Sequence, residues 1–385
     1  MGIADRVFGS ARDRFGKKVA ARVRALDSVV RTEYDPDNFQ LLVYRDQANA
    51  SVPVVINLDA TFREAAVASP ATRKAAVGRL VDIAALPPTP DAWDSARPLL
   101  RPVLRRPVHA PDIRIVSRPA LRYLSEMLVL DNPAAGKSAR KYVGPEELAT
   151  WGVTTEAAFE AAHRNLAHAN GQGDDYRTSR PLLEGWLANL HHVAGARPLA
   201  VPTSHNVLRL SYESPDPDAI IRAVEAAERE WTESARPLSP APITVDEAGT
   251  AILYELPADH PAHPAVKHAT ILLAMSTYGP QTEYLRDVAG PDDPFPASLK
   301  GVRSPEGAEF TGTTWTDGIV SLLPHADLVF FPRPGEPMMQ IPWDIVADEA
   351  GLTPAENFHP ARYRVGSWPA PDVMQRMRER ADTAG

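Results

Sequence analysis

The chain has 385 residues, 44% apolar and 23% charged, a formal net charge of −8 and no cysteine. That length fits two or three compact units with substantial cores, and zero cysteines exclude disulfides, thiolate nucleophiles and cysteine-ligated metal clusters. An acidic chain repels polyanions, so nucleic acid is not an expected partner. No apolar run approaches the roughly 18 residues that span a bilayer, and the charged N-terminus does not read as a cleavable signal, so a cytoplasmic protein is expected.

Residues 1–33 hold eight Lys/Arg against four Asp/Glu. Val7, Ala11, Phe15, Val19, Val23, Leu26 and Val30 recur at three- or four-residue spacing, which predicts one helix with an apolar face. Its cations, Arg12, Arg14, Lys17 and Lys18, together with Phe15, make it a candidate for docking on a membrane surface or a partner. An ordinary helix packed on the body explains the same pattern, and "MGIADR" lacks the Ser or Thr of a myristoylation signal.

A first lobe is expected over 34–195. "NFQLLVYRD" and "VPVVINL" read as strands, and "DATFREAAVASPATRKAAVGRLVDIAAL" as helix with a break near Ser69-Pro70. A proline-rich connector, "LPPTPDAWDSARPLLRPVLRRPVHAPD", cannot sustain a long helix. "IRIVSR", "SEMLVLD" and "KYV" follow as strands, then a short helix from Gly144-Pro145, a longer one capped by Thr154, and a third in "SRPLLEGWLANLHHVAG". In the longer helix Phe159, Ala162 and Leu166 fall on the buried side.

A second lobe, 196–258, repeats this grammar: strands "PLAVPTS" and "NVLRLSYE", a helix "DPDAIIRAVEAAEREWTES", and a hairpin turning at Glu247-Ala248-Gly249. Residues 259–385 read as an α+β extension with a helix at 264–289, strands in "IVSLL" and "DLVFFP", and a polar tail helix that frays into solvent. The expected fold class is α+β, two hairpin-plus-helix lobes with antiparallel or mixed sheets followed by a mixed C-terminal region.

Few motifs carry chemistry. "DNPAAGKS" ends like a phosphate-binding loop, but Asp131 stands where the first glycine belongs and no helix follows Ser138, so a polar turn is the better reading. His260, His263 and His268 are weak candidates for a metal, at a spacing that is not that of a zinc-binding helix. No cofactor is called for. Trp315 and Trp343, with Phe330, Phe331, Met338 and Met339 between them, read either as an aromatic and Met-rich contact surface or as core.

Residues 35 to 258 resemble the YtpQ-like family of uncharacterised bacterial proteins. The resemblance rests on "VVINLDATFREA", "ARPLLRPVLR", "LVLDNPAAGKSARKYVGPEELATWGVTTEAAFEAAHRNL", "RPLLEGWLANLHHVAGARPLAVPTSHNVLRL" and "ARPLSPAPITVDEAG". Where similar proteins carry Arg-Asp after the Val-Pro of the later strand, this chain has Thr203-Ser204-His205-Asn206. The resemblance implies a bacterial cytoplasmic α+β protein and supplies no reaction. The leading expectation is therefore a non-catalytic protein that binds another protein as an adaptor. The alternative is a hydrolase or transferase whose polar site lies between the lobes and draws on Asp131, Arg140 and His205. Peripheral membrane attachment through the basic helix is a weaker third.

Overall fold

The computed structural model describes residues 10–45, 54–67, 70–85, 89–109, 114–131, 140–169, 176–333, 335 and 337–384. It is an α+β protein, as expected, and its chain divides into two compact units. The first comprises Met1–Val103, Leu128–Tyr176 and Glu233–Arg236, and the second Leu104–Met127, Arg177–Thr232 and Pro237–Gly385.

The first unit opens with helix α1 (Ala11–Arg24), started by a reciprocal cap. Ser10 Oγ accepts from the Asp13 amide at 3.1 Å, and Asp13 Oδ2 accepts from the Ser10 amide at 3.1 Å. The helix stops well short of residue 33. Strand β1 (Val29–Asp35) follows, and Val30, assigned by its spacing to the apolar helical face, is 64% exposed on that strand. The β-branched pair Val29-Val30 behind the Asp27-Ser28 turn favours the extended chain that the helical spacing concealed.

β1 pairs antiparallel with β2 (Gln40–Arg45), and β2 with β3 (Val54–Asn57), in a three-stranded meander. Asp35 shapes the β1–β2 turn by accepting from the amides of Asp37 and Asn38. Helices α2 (Asp59–Val67) and α3 (Pro70–Ala84) follow. Val19 and Val23 of α1, Phe39, Leu41, Val43, Ile56, Leu58, Val77 and Leu80 form one buried cluster. The apolar face of the basic helix is thus spent on this core. Gly16 permits the close approach, because a Cβ there would stand 2.2 Å from the Tyr34 ring.

A short helix α4 (Trp93–Ala96) leads into β4 (Leu100–Arg105), a strand inside the proline-rich connector. Then come β5 (Ser117–Leu121), β6 (Leu124–Asp131) and β7 (Arg140–Tyr142). Within the first unit β7 pairs antiparallel with the end of β6, Asp131 opposite Arg140. Helix α5 (Pro145–Trp151) begins where the Gly144 amide donates to Glu147 at 2.8 Å. Helix α6 (Thr155–His168) begins where Thr154 Oγ1 accepts from the Ala157 amide at 3.2 Å, and it buries Ala158, Phe159, Ala162 and Leu166.

In the second unit β5 pairs antiparallel with the start of β6. Helix α7 (Trp186–Ala194) precedes β8 (Pro198–Val201) and β9 (Arg209–Tyr212). The amphipathic helix α8 (Pro217–Glu233) buries Ile220, Val224 and Ala227 and leads to the hairpin β10 (Ile243–Val245) and β11 (Ala251–Leu253). These strands form one sheet in the order β11-β10-β8-β9, with β9 at an edge. Gly249, at φ 84°, makes the hairpin turn.

Helix α9 (His263–Val288) is the longest element and contains Pro280. Proline has no amide hydrogen, so the carbonyl four residues earlier, on Ser276, loses its helical donor. Arg106 supplies one instead, at 3.3 Å.

Strands β12 (Phe295–Pro296), β13 (Lys300–Arg303), β14 (Glu309–Thr314), β15 (Ser321–Pro324), β16 (Leu328–Phe331) and β17 (Met339–Pro342) follow, then helix α10 (Trp343–Ala350), β18 (Arg362–Val365) and helix α11 (Pro371–Ala384). They build two small sheets, β13-β14-β16-β17 and β12-β15-β18. A single buried cluster takes in Leu199 and Ile243 as well as Val266, Leu273, Phe331 and Met377. The boundary expected near 258 therefore divides no core, and residues 196–258 and 259–385 fold together.

One further expectation changes. The tail helix α11 is docked: Met374 and Met377 are 4% and 0% exposed, while Arg376 and Arg380 pair with Glu349 of α10 at 3.0 and 2.8 Å. A helix with charges on one side and two methionines on the other reads as polar by composition and behaves as amphipathic. Arg362 is wholly buried. Its guanidinium donates to the carbonyls of Ala297 and Leu322, to Gln281 Oε1 and to Thr282 Oγ1, at 2.6 to 3.0 Å, and has no carboxylate partner among the described residues.

Candidate functional site

The second unit contains a cavity of about 320 Å³ beside the N-terminal half of α9. Its walls come from the β5–β6 turn, the segment after β11, the first three turns of α9, the β15–β16 turn and the start of α10. Elements far apart in sequence thus converge on one space, with Val266, Ile271, Ala274 and Trp343 as an apolar wall.

The floor is fixed by Asp327, which follows the β15–β16 turn. Its Oδ2 accepts from the Thr311 amide at 2.7 Å and from Thr311 Oγ1 at 2.8 Å, and its own amide donates to Thr311 Oγ1 at 2.9 Å. Lys267, one turn into α9, donates to Asp327 Oδ1 at 2.6 Å. Burial works to raise the Asp327 carboxyl. The Lys267 ammonium and the Thr311 donors outweigh it, and the group stays below the ordinary carboxylate value.

His325 occupies the same turn. Its backbone amide donates to Tyr278 Oη at 3.1 Å, and its ring lies 4.9 Å from the Trp343 ring. Among the described residues the imidazole nitrogens have no hydrogen-bond partner. Burial, reinforced by the Arg122 charge, pushes its pKa down to about 4, so the ring is neutral near pH 7 and keeps both a donor and an acceptor for use in the cavity. Arg122, in the turn between β5 and β6, stands beside the buried phenol of Tyr123 and the carboxylate of Glu255. Arg122, Glu255 and Asp344 are exposed where the cavity meets solvent.

The candidates read from sequence lie mostly elsewhere. Asp131 and Arg140 do come together across β6 and β7, with the Arg140 guanidinium 4.2 Å from the centre of the Tyr176 ring, but they belong to the first unit. His205 belongs to the second unit, where its carbonyl accepts from Thr178 Oγ1 at 3.1 Å. The Gly-Lys-Ser at 136–138 lies outside the described residues.

The three histidines have separate partners. His260 Nδ1 accepts from the Ala262 amide at 3.1 Å, His263 Nδ1 meets the Leu256 carbonyl at 2.8 Å, and His268 sits between Glu309 and Glu228. Among the described residues no three His, Asp or Glu side chains are grouped to hold a metal.

The aromatic surface is corrected to core. Trp315 and Trp343 are 4% exposed, Phe331 is fully buried and Phe330 nearly so; Met339 is half-buried and Met338 alone is open to solvent. Trp343 nevertheless acquires a role, as cavity wall.

The basic helix is likewise committed. Phe15 packs 5.4 Å from Phe62, and Arg12 pairs with Asp59 at 3.1 Å while its guanidinium lies 4.2 Å from the centre of the Phe39 ring. Arg14, Lys17 and Lys18 stand on the exposed side.

Sequence reasoning missed Arg122, Lys267, His325 and Asp327. The available signal was "SLLPHADLVFF", in which His325 and Asp327 interrupt an apolar run that otherwise reads as buried strand. No helix among the described residues is long and apolar enough to cross a membrane. No protein-family model, curated protein or solved structure matches the chain.

Proposed function

We propose that this chain is a binding protein whose second unit takes up a small polar molecule in the cavity beside α9. The observation that carries the reading is the His325 imidazole, neutral, held against Trp343 and without a hydrogen-bond partner inside a walled space. The ring is half-buried, and an imidazole with open nitrogens on a cavity wall is suited to a ligand. Lys267 and Asp327 neutralise each other beside it and make the floor rigid, so a ligand meets a preformed surface.

The test is equilibrium dialysis of the full chain against the low-molecular-weight fraction of a cell extract, followed by mass spectrometry of what the protein retains. A compound held by the wild type and released by Thr270→Trp, which fills the cavity from α9, supports the reading. Retention of nothing, or equal retention by the variant, sinks it.

Docking of another protein is a second reading, supported by β9, an edge strand that carries Leu210 and Tyr212 at 42% and 37% exposure. Open edges of this kind accept an added strand. Its test is whether a co-purifying protein is lost on Leu210→Lys.

A further inference from the structure

The cavity carries open charge of both signs. Lys267 and Asp327 satisfy each other, whereas Arg122, Glu255 and Asp344 make no salt bridge among the described residues. All three line one cavity, where it meets solvent. Water solvates exposed charges such as these. A ligand that enters displaces that water and must replace what it gave, or leave a desolvated charge behind.

This requirement sorts ligands by charge. A simple anion that pairs with Arg122 lies next to two carboxylates, and a simple cation lies next to Arg122. A neutral molecule can hydrogen-bond to all three but neutralises none of them. A molecule with one group of each sign gives Arg122 a counter-ion and gives the two carboxylates one cation to share, leaving a single negative charge in excess. The Arg122 fork suits a carboxylate, which it can hold by two parallel hydrogen bonds. An ammonium, with three donors, can be shared by Glu255 and Asp344. The wall of Val266, Ile271, Ala274 and Trp343 then offers an apolar surface to whatever separates or flanks the two ends.

On the reading that this cavity is a binding site, we infer that its ligand is a zwitterion of the free amino acid or short peptide class, with its carboxylate on Arg122 and its ammonium between Glu255 and Asp344. His325, neutral and open, serves as an additional hydrogen-bond partner for the ligand.

The experiment is calorimetric titration of the full chain with free leucine, free phenylalanine and the dipeptide Leu-Leu, each compared with its N-acetyl and C-terminal amide forms. A free form is expected to bind, and capping either end weakens it by about tenfold or more, the loss of one charge-assisted pair. In Arg122→Met the free acid and its amide should bind alike, a loss of discrimination that a general defect in folding would not produce. Capped forms that bind as tightly as free ones, or the absence of binding by every free form, would overturn the inference. The dialysis experiment separates the two levels: a retained compound that is purely anionic, cationic or neutral removes the zwitterion and keeps the pocket, whereas retention of nothing removes both.

Discussion

The two units bury different things. The first packs hydrocarbon and aromatic rings at α1, with Phe62 edge to face against Phe15 and Phe39, and it holds Arg12 of α1 near the surface over Asp59 and the Phe39 ring. The second buries Arg362 without a carboxylate and half-buries the rings of His109, His325 and His359 and the Lys267–Asp327 pair. Hydrocarbon burial stabilises without choosing among ligands, whereas buried polar groups hold geometry and chemical preference at a cost in desolvation. The contrast teaches where to look for function, and the cavity lies in the unit that bears that cost.

Removing the Arg362 guanidinium is the strongest way to break the contrast. Arg362→Leu leaves the carbonyls of Ala297 and Leu322 and the side chains of Gln281 and Thr282 without their donor, and it should destabilise the protein by about 3–5 kcal/mol. Urea unfolding measures this, and a midpoint within error of the wild type would mean that the network contributes little.

Acid comes next. His109 and His325 have native pKa values pushed down from 6.5 to about 4 by burial, and His359 is lowered for the same reason. Between those pH values the unfolded rings bind protons that the native rings refuse, so protons favour the unfolded chain. The stabilisation is fully present above about pH 6.5 and is lost as pH falls toward 4, a change of up to roughly 2–3 kcal/mol for each of His109 and His325. Amide exchange at successive pH values should show it in residues 263–365 and not in the meander of β1 to β3. Equal acid loss in both would erase the distinction.

A smaller and deliberately symmetrical pair tests packing. A Cβ at Gly16 would stand 2.2 Å from the Tyr34 ring, and one at Gly312 would stand 2.3 Å from the Phe330 ring. Gly16→Ala in the first unit and Gly312→Ala in the second should each cost about 1–3 kcal/mol by thermal unfolding, since tight packing is common to both units. At the low end, Lys17→Gln with Lys18→Gln should change stability by less than about 0.5 kcal/mol, and a larger loss would show that the cations of α1 hold the first unit together.

Local chemistry made much of the fold readable. Thr154 announces α6, and Gly249 announces the β10–β11 hairpin, because a cap or a turn is a property of a few adjacent residues. The misreadings came where two patterns compete. Val30 fits the helical spacing of residues 7 to 26 yet belongs to β1, and the prolines of the connector hid β4. Met374 and Met377 are too few to mark α11 as amphipathic against its many charges. The site was less legible still. Arg122 and Asp344 are separated by most of the second unit's sequence, so no spacing rule joins them, and only the Pro-His-Ala-Asp interruption at 324–327 marked the place. Asp131 and Arg140 are brought opposite each other by the register of β6 and β7, with Tyr176 beside both.

The docking of α11 has a consequence for sulfur chemistry, which in a chain of seven methionines and no cysteine is methionine chemistry alone. Met338 is 52% exposed, whereas Met374 and Met377 are sealed beneath the last helix by its arginine pairs. Among the described methionines, peroxide should convert Met338 to its sulfoxide first. The other two react only during excursions in which α11 lifts away, and a polar sulfoxide formed there resists being packed again. Sulfoxide at Met374 and Met377 would therefore accumulate as a chemical record of how often the terminal helix has come undone.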